Sequence, residues 1–232
     1  MEKTFYYFND HEYPILISSE TSHRAPHTFL SNGHMWENLS LQQFFGGIDK
    51  TTNYNIVDIG AQVGLYTLFA KYLPESTFYS FEPFSITYNL LNENVKLNNL
   101  NNVNTFNLGI SDKEGVCVLN TSLSHNGLHT MGDKPLRFND IEAVNVKTTT
   151  LDMFFDEIPV HYIKIDTEGY EYFILKGGKN IITKYKPIIQ LEWNVTNMEQ
   201  CDVSENMLTD LLEELGYLQI GFVEEEKLFA PK

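Results

Sequence analysis

Cysteine is scarce in this chain: Cys117 and Cys201 are the only two among 232 residues, and no C-x-x-C spacing occurs. Two thiols make no disulfide framework, so a reducing compartment and hence a cytoplasmic location are the simpler expectation. Long apolar runs are also missing. No 18 apolar residues follow one another, and the N-terminal stretch MEKTFYYFNDHEYPILI has no basic start leading into an apolar one, which predicts a soluble, unprocessed protein with no membrane insertion. Positive charge is the third deficit, with 16 Lys and Arg against 31 Asp and Glu and a formal net charge of -15. Such a charge repels phosphate backbones, and the cationic residues are scattered singly, so no nucleic-acid partner is expected.

What is present suits a packed interior: 42% of residues are hydrophobic and 13% aromatic. The length fits one domain. Residues 1–50 read as an N-terminal extension of irregular pieces with one amphipathic stretch, 36–45, stopped by Gly46 and Gly47. Residues 51–232 read as a single α/β domain, because short β-rich runs alternate with helical patterns from Tyr54 onward. The spacing predicts strands at 55–59, 77–82, 102–108, 162–166 and 188–192, and helices at 64–73 and 85–97. Asp202-x-x-Glu205 has the form of a capping box for a helix carrying Met207, Leu208, Leu211, Leu212 and Leu215 on one face, and Gly216 stops it. Residues 217–222 and 228–230 then predict a terminal antiparallel pair. The polar segment 120–143 reads as a long loop or lid.

The sharpest local signal is VDIGAQVG at 57–64, a strand ending in Asp58 and turning through Gly60 and Gly64 into a helix. A dinucleotide fingerprint would read G-x-G-x-x-G, with a phosphate on the helix N-terminus. Here the turn reads G-A-Q-V-G. An NAD-dependent oxidoreductase or epimerase is therefore the weaker alternative. The methionine part of S-adenosylmethionine carries no phosphate, and Asp58 is placed to meet its ammonium group. Glu82, 24 residues on, ends the second strand, where a carboxylate accepts hydrogen bonds from both ribose hydroxyls. The candidate cofactor set is Asp58, Gly60, Ala61, Gln62, Gly64, Glu82, Pro83, Asn107, Gly109 and Asp166. For Ser111 to Gly115, an adenine-side contact and a plain turn between strands are equally open readings.

IKIDTEGYE at 163–171 puts charge where a buried strand should be apolar. Lys164 and Asp166 are two apart and share a face, and a buried Lys needs a carboxylate or a ligand. Asp166 and Glu168 fall beyond a strand end, where ligands of open parallel sheets bind. Glu192 reaches the same edge from the next strand, so three carboxylates are expected to converge. Methyl transfer from a sulfonium needs an aligned acceptor oxygen and a base for its proton. Mutually raised carboxylates would serve, and the candidate catalytic set is Asp166, Glu168, Lys164, Glu192 and His129, with His125, Asn126 and Arg137 as further acceptor contacts from the 120–143 segment. A divalent metal on these oxygens is the rival arrangement and is not favoured. His11, His23, His27 and His34 lack metal-ligand spacing.

The segments VDIGAQVGLYTLFA, FYSFEP, IKIDTEGYEYFILKGG and KPIIQLEW together resemble the FkbM family of S-adenosylmethionine-dependent methyltransferases over about residues 54–193, most specifically in Lys-x-Asp-x-Glu-Gly at 164–169. The resemblance implies a Rossmann-like class I methyltransferase fold: a seven-stranded, mostly parallel sheet with helices on both faces and an antiparallel terminal strand. It implies cofactor contacts from Asp58, Gly60, Gly64 and Glu82. It also implies O-methylation of a small-molecule acceptor, a sugar or glycan hydroxyl being favoured over a polyketide-like one. Gln62 stands where the family usually has Asn, and Thr167 where it has an aliphatic residue. Residues 1–50 and 120–143 carry no family pattern, and a catalytically inactive nucleotide-binding module is the last alternative.

Overall fold

The structure, a computed structural model, describes residues 2–8, 11–17, 38–122, 129–132 and 141–232, with side chains from residue 39 onward. Strands β1 (Glu2–Phe8) and β2 (His11–Ile17) pair antiparallel with Phe8 opposite His11. This corrects the expectation of irregular pieces: two β-rich runs two residues apart form a hairpin. Helix α1 (Asn38–Phe45) confirms the core of the amphipathic stretch and turns Leu41, Phe44 and Phe45 inward.

The main sheet is built from β3 (Asn55–Ile59), β4 (Thr77–Phe81), β5 (Val103–Phe106), β10 (Tyr162–Ile165), β11 (Ile188–Glu192), β12 (Tyr217–Val223) and β13 (Glu226–Pro231). Their order is β12-β13-β11-β10-β3-β4-β5. The first five named run parallel, and β13 runs against both β11 and β12. The expected seven-stranded, mostly parallel sheet is therefore present, with its reversed strand one place in from the edge.

Alternation along the strands divides the interior into two cores. Ile56 and Phe78 pack with Leu41, Phe44, Phe69 and Leu91 on one face. Val57, Ile59, Ile163 and Ile165 pack on the other with Ile174, Ile182, Leu208 and Leu211. Helices therefore cover both faces: α1 and α2 (Ser85–Leu97) contribute to the first core, and α4 (Glu171–Lys176), α5 (Lys179–Tyr185) and α7 (Glu205–Glu214) to the second. Short α3 (Leu151–Phe154) and α6 (Val195–Gln200) precede β10 and follow β11.

Three expectations change. The predicted helix at 64–73 is a tighter 3-10 segment, Thr67–Tyr72, in which Phe69 N donates to Tyr66 O at 3.0 Å and Leu73 N to Ala70 O at 3.2 Å. The third strand is shorter than expected, and Gly109–Ile110 instead starts a second sheet as β6. That sheet has the order β6-β9-β7-β8, with β7 (Gly115–Ser122), β8 (His129–Thr130) and β9 (Ile141–Thr149), so both ends of the supposed loop at 120–143 are strand. Among the described residues no helix is long and apolar enough to cross a membrane.

Candidate active site at the carboxyl edge of the sheet

Because β3, β4, β10 and β11 are parallel, their C-terminal ends share one edge, and Asp58, Glu82, Asp166 and Glu192 all stand there. Register pairs Ser80 with Asp58, Asp58 with Lys164, and Lys164 with Gln190. These four form a polar row across one face of the sheet, and all are buried. Unsatisfied polar groups at such depth are costly, so each needs a partner. The 3-10 segment and the residue before it supply them. Thr67 Oγ1 donates to Asp58 Oδ2 at 2.6 Å and lies 2.8 Å from Ser80 Oγ, while Gln190 Nε2 donates to Tyr66 OH at 2.9 Å. Lys164 Nζ lies 4.7 Å from the centre of the Tyr66 ring.

The glycine turn forms one half of the site. Gly60 has φ +79, and a Cβ there would stand 1.8 Å from the Asp166 carbonyl oxygen, so only glycine lets β3 and β10 close at this point. Gly64 has φ +105 and packs on Leu91. The Gly60 and Ala61 amides both donate to Phe81 O at 3.0 Å. Gln62, at φ +49, donates its amide to Glu82 Oε2 at 2.9 Å. Glu82 Oε1 accepts from Phe84 N at 2.8 Å and Thr87 Oγ1 at 2.9 Å. Burial pushes the Glu82 carboxyl up to about 7 against these hydrogen bonds, and it pushes Asp58 up to about 6. Asn107 Nδ2 ties down the Glu82 and Pro83 carbonyls at 2.9 Å each, whereas Gly109 is buried against Met131 and Thr148 in the second sheet. Ser111 is likewise buried, 3.2 Å from Tyr170 OH, and 112–114 is a bend between strands, as the turn reading of this segment expects.

The other half is acidic. Asp166, Glu168 and Glu192 bring one carboxylate oxygen each to within 4.8 Å of one another, so the three do converge. Lys164 is 1% exposed and sits beneath them, with Nζ 3.1 Å from Asp166 Oδ2 and 2.6 Å from Glu226 Oε1. Glu171 Oε1 accepts from the Thr167 and Gly169 amides at 3.0 and 3.3 Å, which holds the turn that presents Glu168 at φ +54. Asn197 Nδ2 donates to Glu168 Oε2 at 2.6 Å and to Glu192 Oε1 at 3.0 Å. Burial first, then the charges of Asp166, Glu168, Glu171 and Glu226, raise Glu192 well above the usual carboxylate range. His129 packs its ring 4.8 Å from that of Phe84, and its neighbour Thr130 donates to the Glu168 carbonyl at 2.9 Å. Strand β8 thus touches both halves. His125, Asn126 and Arg137 lie outside the described residues. Sequence reasoning misses Tyr66, Thr67, Asn197 and Glu226, whose importance comes from partners far along the chain.

A model of the family described as Methyltransferase FkbM domain matches residues 58–218. Methyltransferase 1 of Beauveria bassiana is 28% identical over 142 residues, covering 53% of this chain and 57% of that protein. Methyltransferase sdnD of Sordaria araneosa is 26% identical over 157 residues, covering 54% and 61%. The match therefore spans about three-fifths of the length of these curated relatives. Among solved structures, the methyltransferase FkbM from Methylobacillus flagellatus KT aligns with a TM-score of 0.53 at 16% identity, over 80% of this chain and 45% of that one. A precorrin-6y C5,15-methyltransferase from Geobacter metallireducens GS-15 aligns at 0.51 and 10% identity, over 93% and 91%. At such identities the likeness establishes the fold, which is the class I methyltransferase arrangement.

Proposed function

We propose that this chain, which belongs to the methyltransferase FkbM family, transfers the methyl group of S-adenosylmethionine to a hydroxyl oxygen of a sugar, glycan or related small molecule. The observation that carries this reading is the junction at Gly60. There the turn beside Glu82 packs directly on the Asp166 backbone, so a cofactor cradle and an acidic crevice share one boundary.

The residues suit a sulfonium nucleoside. Glu82 Oε2 accepts one backbone hydrogen bond and has a lone pair left for a ribose hydroxyl, and the buried charge of Asp58 favours a cationic ligand. When bound, that group supplies a methyl carbon activated for displacement. The chain's own task is alignment and proton removal. An acceptor oxygen over Asp166, Glu168 and Glu192 forms the new C–O bond as the C–S bond breaks, the bonding electrons stay on sulfur, and the hydroxyl proton passes to a carboxylate. Asn197 holds Glu168 and Glu192, and Lys164 fixes Asp166 from below. A net charge of -15 favours neutral acceptors over phosphorylated ones. The scarcity of cysteine, two in the whole chain, fits a reducing, cytoplasmic setting.

S-adenosylhomocysteine is expected to raise the melting temperature, by about 2.7 kcal/mol of added stability at a hundredfold excess over Kd, while NAD is not. In an acceptor screen with labelled methyl donor, Asp166→Asn should lower turnover by about 100-fold or more. Stabilisation by NAD alone, or undiminished turnover in the variant, would overturn the assignment.

A further inference from the structure

We propose that Asp166, Glu168 and Glu192 bind one divalent cation of the hard, oxygen-seeking class: magnesium, manganese or calcium. The cation's part in catalysis rests on the methyl-transfer reading above; its binding does not.

Two observations point to it independently. The first is spacing. The three carboxylate oxygens lie within 4.8 Å of one another. Two oxygens on one calcium stand at most about 4.6–5.2 Å apart and two on one magnesium at most about 4.0–4.2 Å, so a trio within 4.8 Å lies within calcium's reach and within magnesium's after at most a small contraction. The second is an orphaned oxygen. Glu192 is only 8% exposed, and among the described residues its Oε2 has no hydrogen-bond partner. Asn197 satisfies Oε1 of the same carboxyl group, which fixes its orientation and leaves Oε2 to something else. A buried carboxylate oxygen without a donor is rare because its desolvation goes uncompensated.

Charge points the same way. Five carboxylates, Asp166, Glu168, Glu171, Glu192 and Glu226, influence this region. Among the described residues the ammonium set between them is Lys164, which is already engaged by Glu226 and by Asp166 Oδ2. Lys164 takes Asp166 from below through Oδ2, so among the described residues Oδ1 is left to a cation. The Asp166 side chain is 31% exposed, which leaves one side of the trio open for water or an acceptor to complete the coordination shell. A hydroxyl on such a cation gives up its proton more readily, and a neighbouring carboxylate or water receives it as the C–O bond forms.

The test uses the full chain after chelator treatment. Mn2+ is titrated in while the free-ion EPR signal is followed, Mg2+ and Ca2+ are added as competitors, and S-adenosylhomocysteine binding is measured separately. A single Mn2+ should bind, be displaced by Mg2+ or Ca2+, and bind about tenfold or more weakly in Glu192→Gln, whose amide oxygen still accepts from Asn197. Circular dichroism checks that the variant folds, and Asp166→Asn repeats the test if it does not. Absence of Mn2+ binding, or equal binding in the variants, would overturn the proposal and leave Glu192 as a carboxyl that keeps its proton. S-adenosylhomocysteine binding without Mn2+ binding sinks the cation alone. Mn2+ binding without S-adenosylhomocysteine binding supports the cation and sinks the methyl-transfer reading.

Discussion

Beneath the crevice, Lys164 Nζ stands 2.6 Å from Glu226 and 3.1 Å from Asp166, and Glu226 is itself 3% exposed. Removing the ammonium strands charge in a medium of low dielectric, a loss of about 3–5 kcal/mol. Lys164→Met should therefore lower the unfolding free energy by about that much in urea titrations. Adding Glu226→Gln should restore most of it, because the stranded carboxylate is then gone. A double variant as unstable as the sum of the two single ones would show that the pair is not coupled. Half of this arrangement is legible in the sequence. A lysine inside the apolar run 162–165 demands an acid, and Asp166, two residues on, is on the right face. Glu226 gives no such signal, since it sits in the acidic run 224–226, which reads as a solvated turn until β13 carries it alongside β11. The same asymmetry separates Glu82, found by its place at a strand end, from Asn197, whose two carboxylate partners lie on different elements.

Helix α7 shows how local grammar misleads by two residues. Asp202 and Glu205 have the capping-box spacing, but Ser204 is the residue that accepts from Met207 N, at 3.3 Å. Asp202 instead has φ +56 and donates its amide to Glu199 O at 3.2 Å, so it closes α6 rather than opening α7. Ser204→Ala is expected to cost about 1 kcal/mol in thermal or urea unfolding, and more than Asp202→Gly, which suits the left-handed backbone at that position. The reverse ranking would restore the box. Elements that were legible, such as 55–59, 85–97 and 188–192, are those with buried faces and clear periodicity. Strand β7 was not, because it is largely solvated, with Val116 65% exposed and Val118 48% exposed. Its β signal runs directly into the Ser, Asn, Gly and His of 120–143, and an exposed sheet leaves no apolar stripe to read.

Across the whole molecule, folding encloses Asp58 and Glu82 at 3% and 4% exposure and raises them to about 6 and about 7 from ordinary values of 3.8 and 4.5. The folded protein therefore holds protons that the unfolded chain releases. That contribution to stability is fully present below the unfolded values and is lost as pH rises through the folded ones. The ligand-free melting temperature should fall between about pH 4 and about pH 7. The net charge of -15 pushes the same way by self-repulsion, so the wild type alone does not separate the causes. Glu82→Gln does, because it cannot ionise and should flatten the slope most between its unfolded and folded values, at about pH 5 to about pH 6.5. Ligand binding carries the opposite sign. Ribose hydroxyls donate better to an ionised Glu82, so the shift produced by S-adenosylhomocysteine should grow with pH over the same window in the wild type and stay nearly constant in Glu82→Gln. Thermal melts at a series of pH values, with and without that ligand, measure both slopes. Parallel slopes in the two proteins would remove Glu82 from the cofactor cradle.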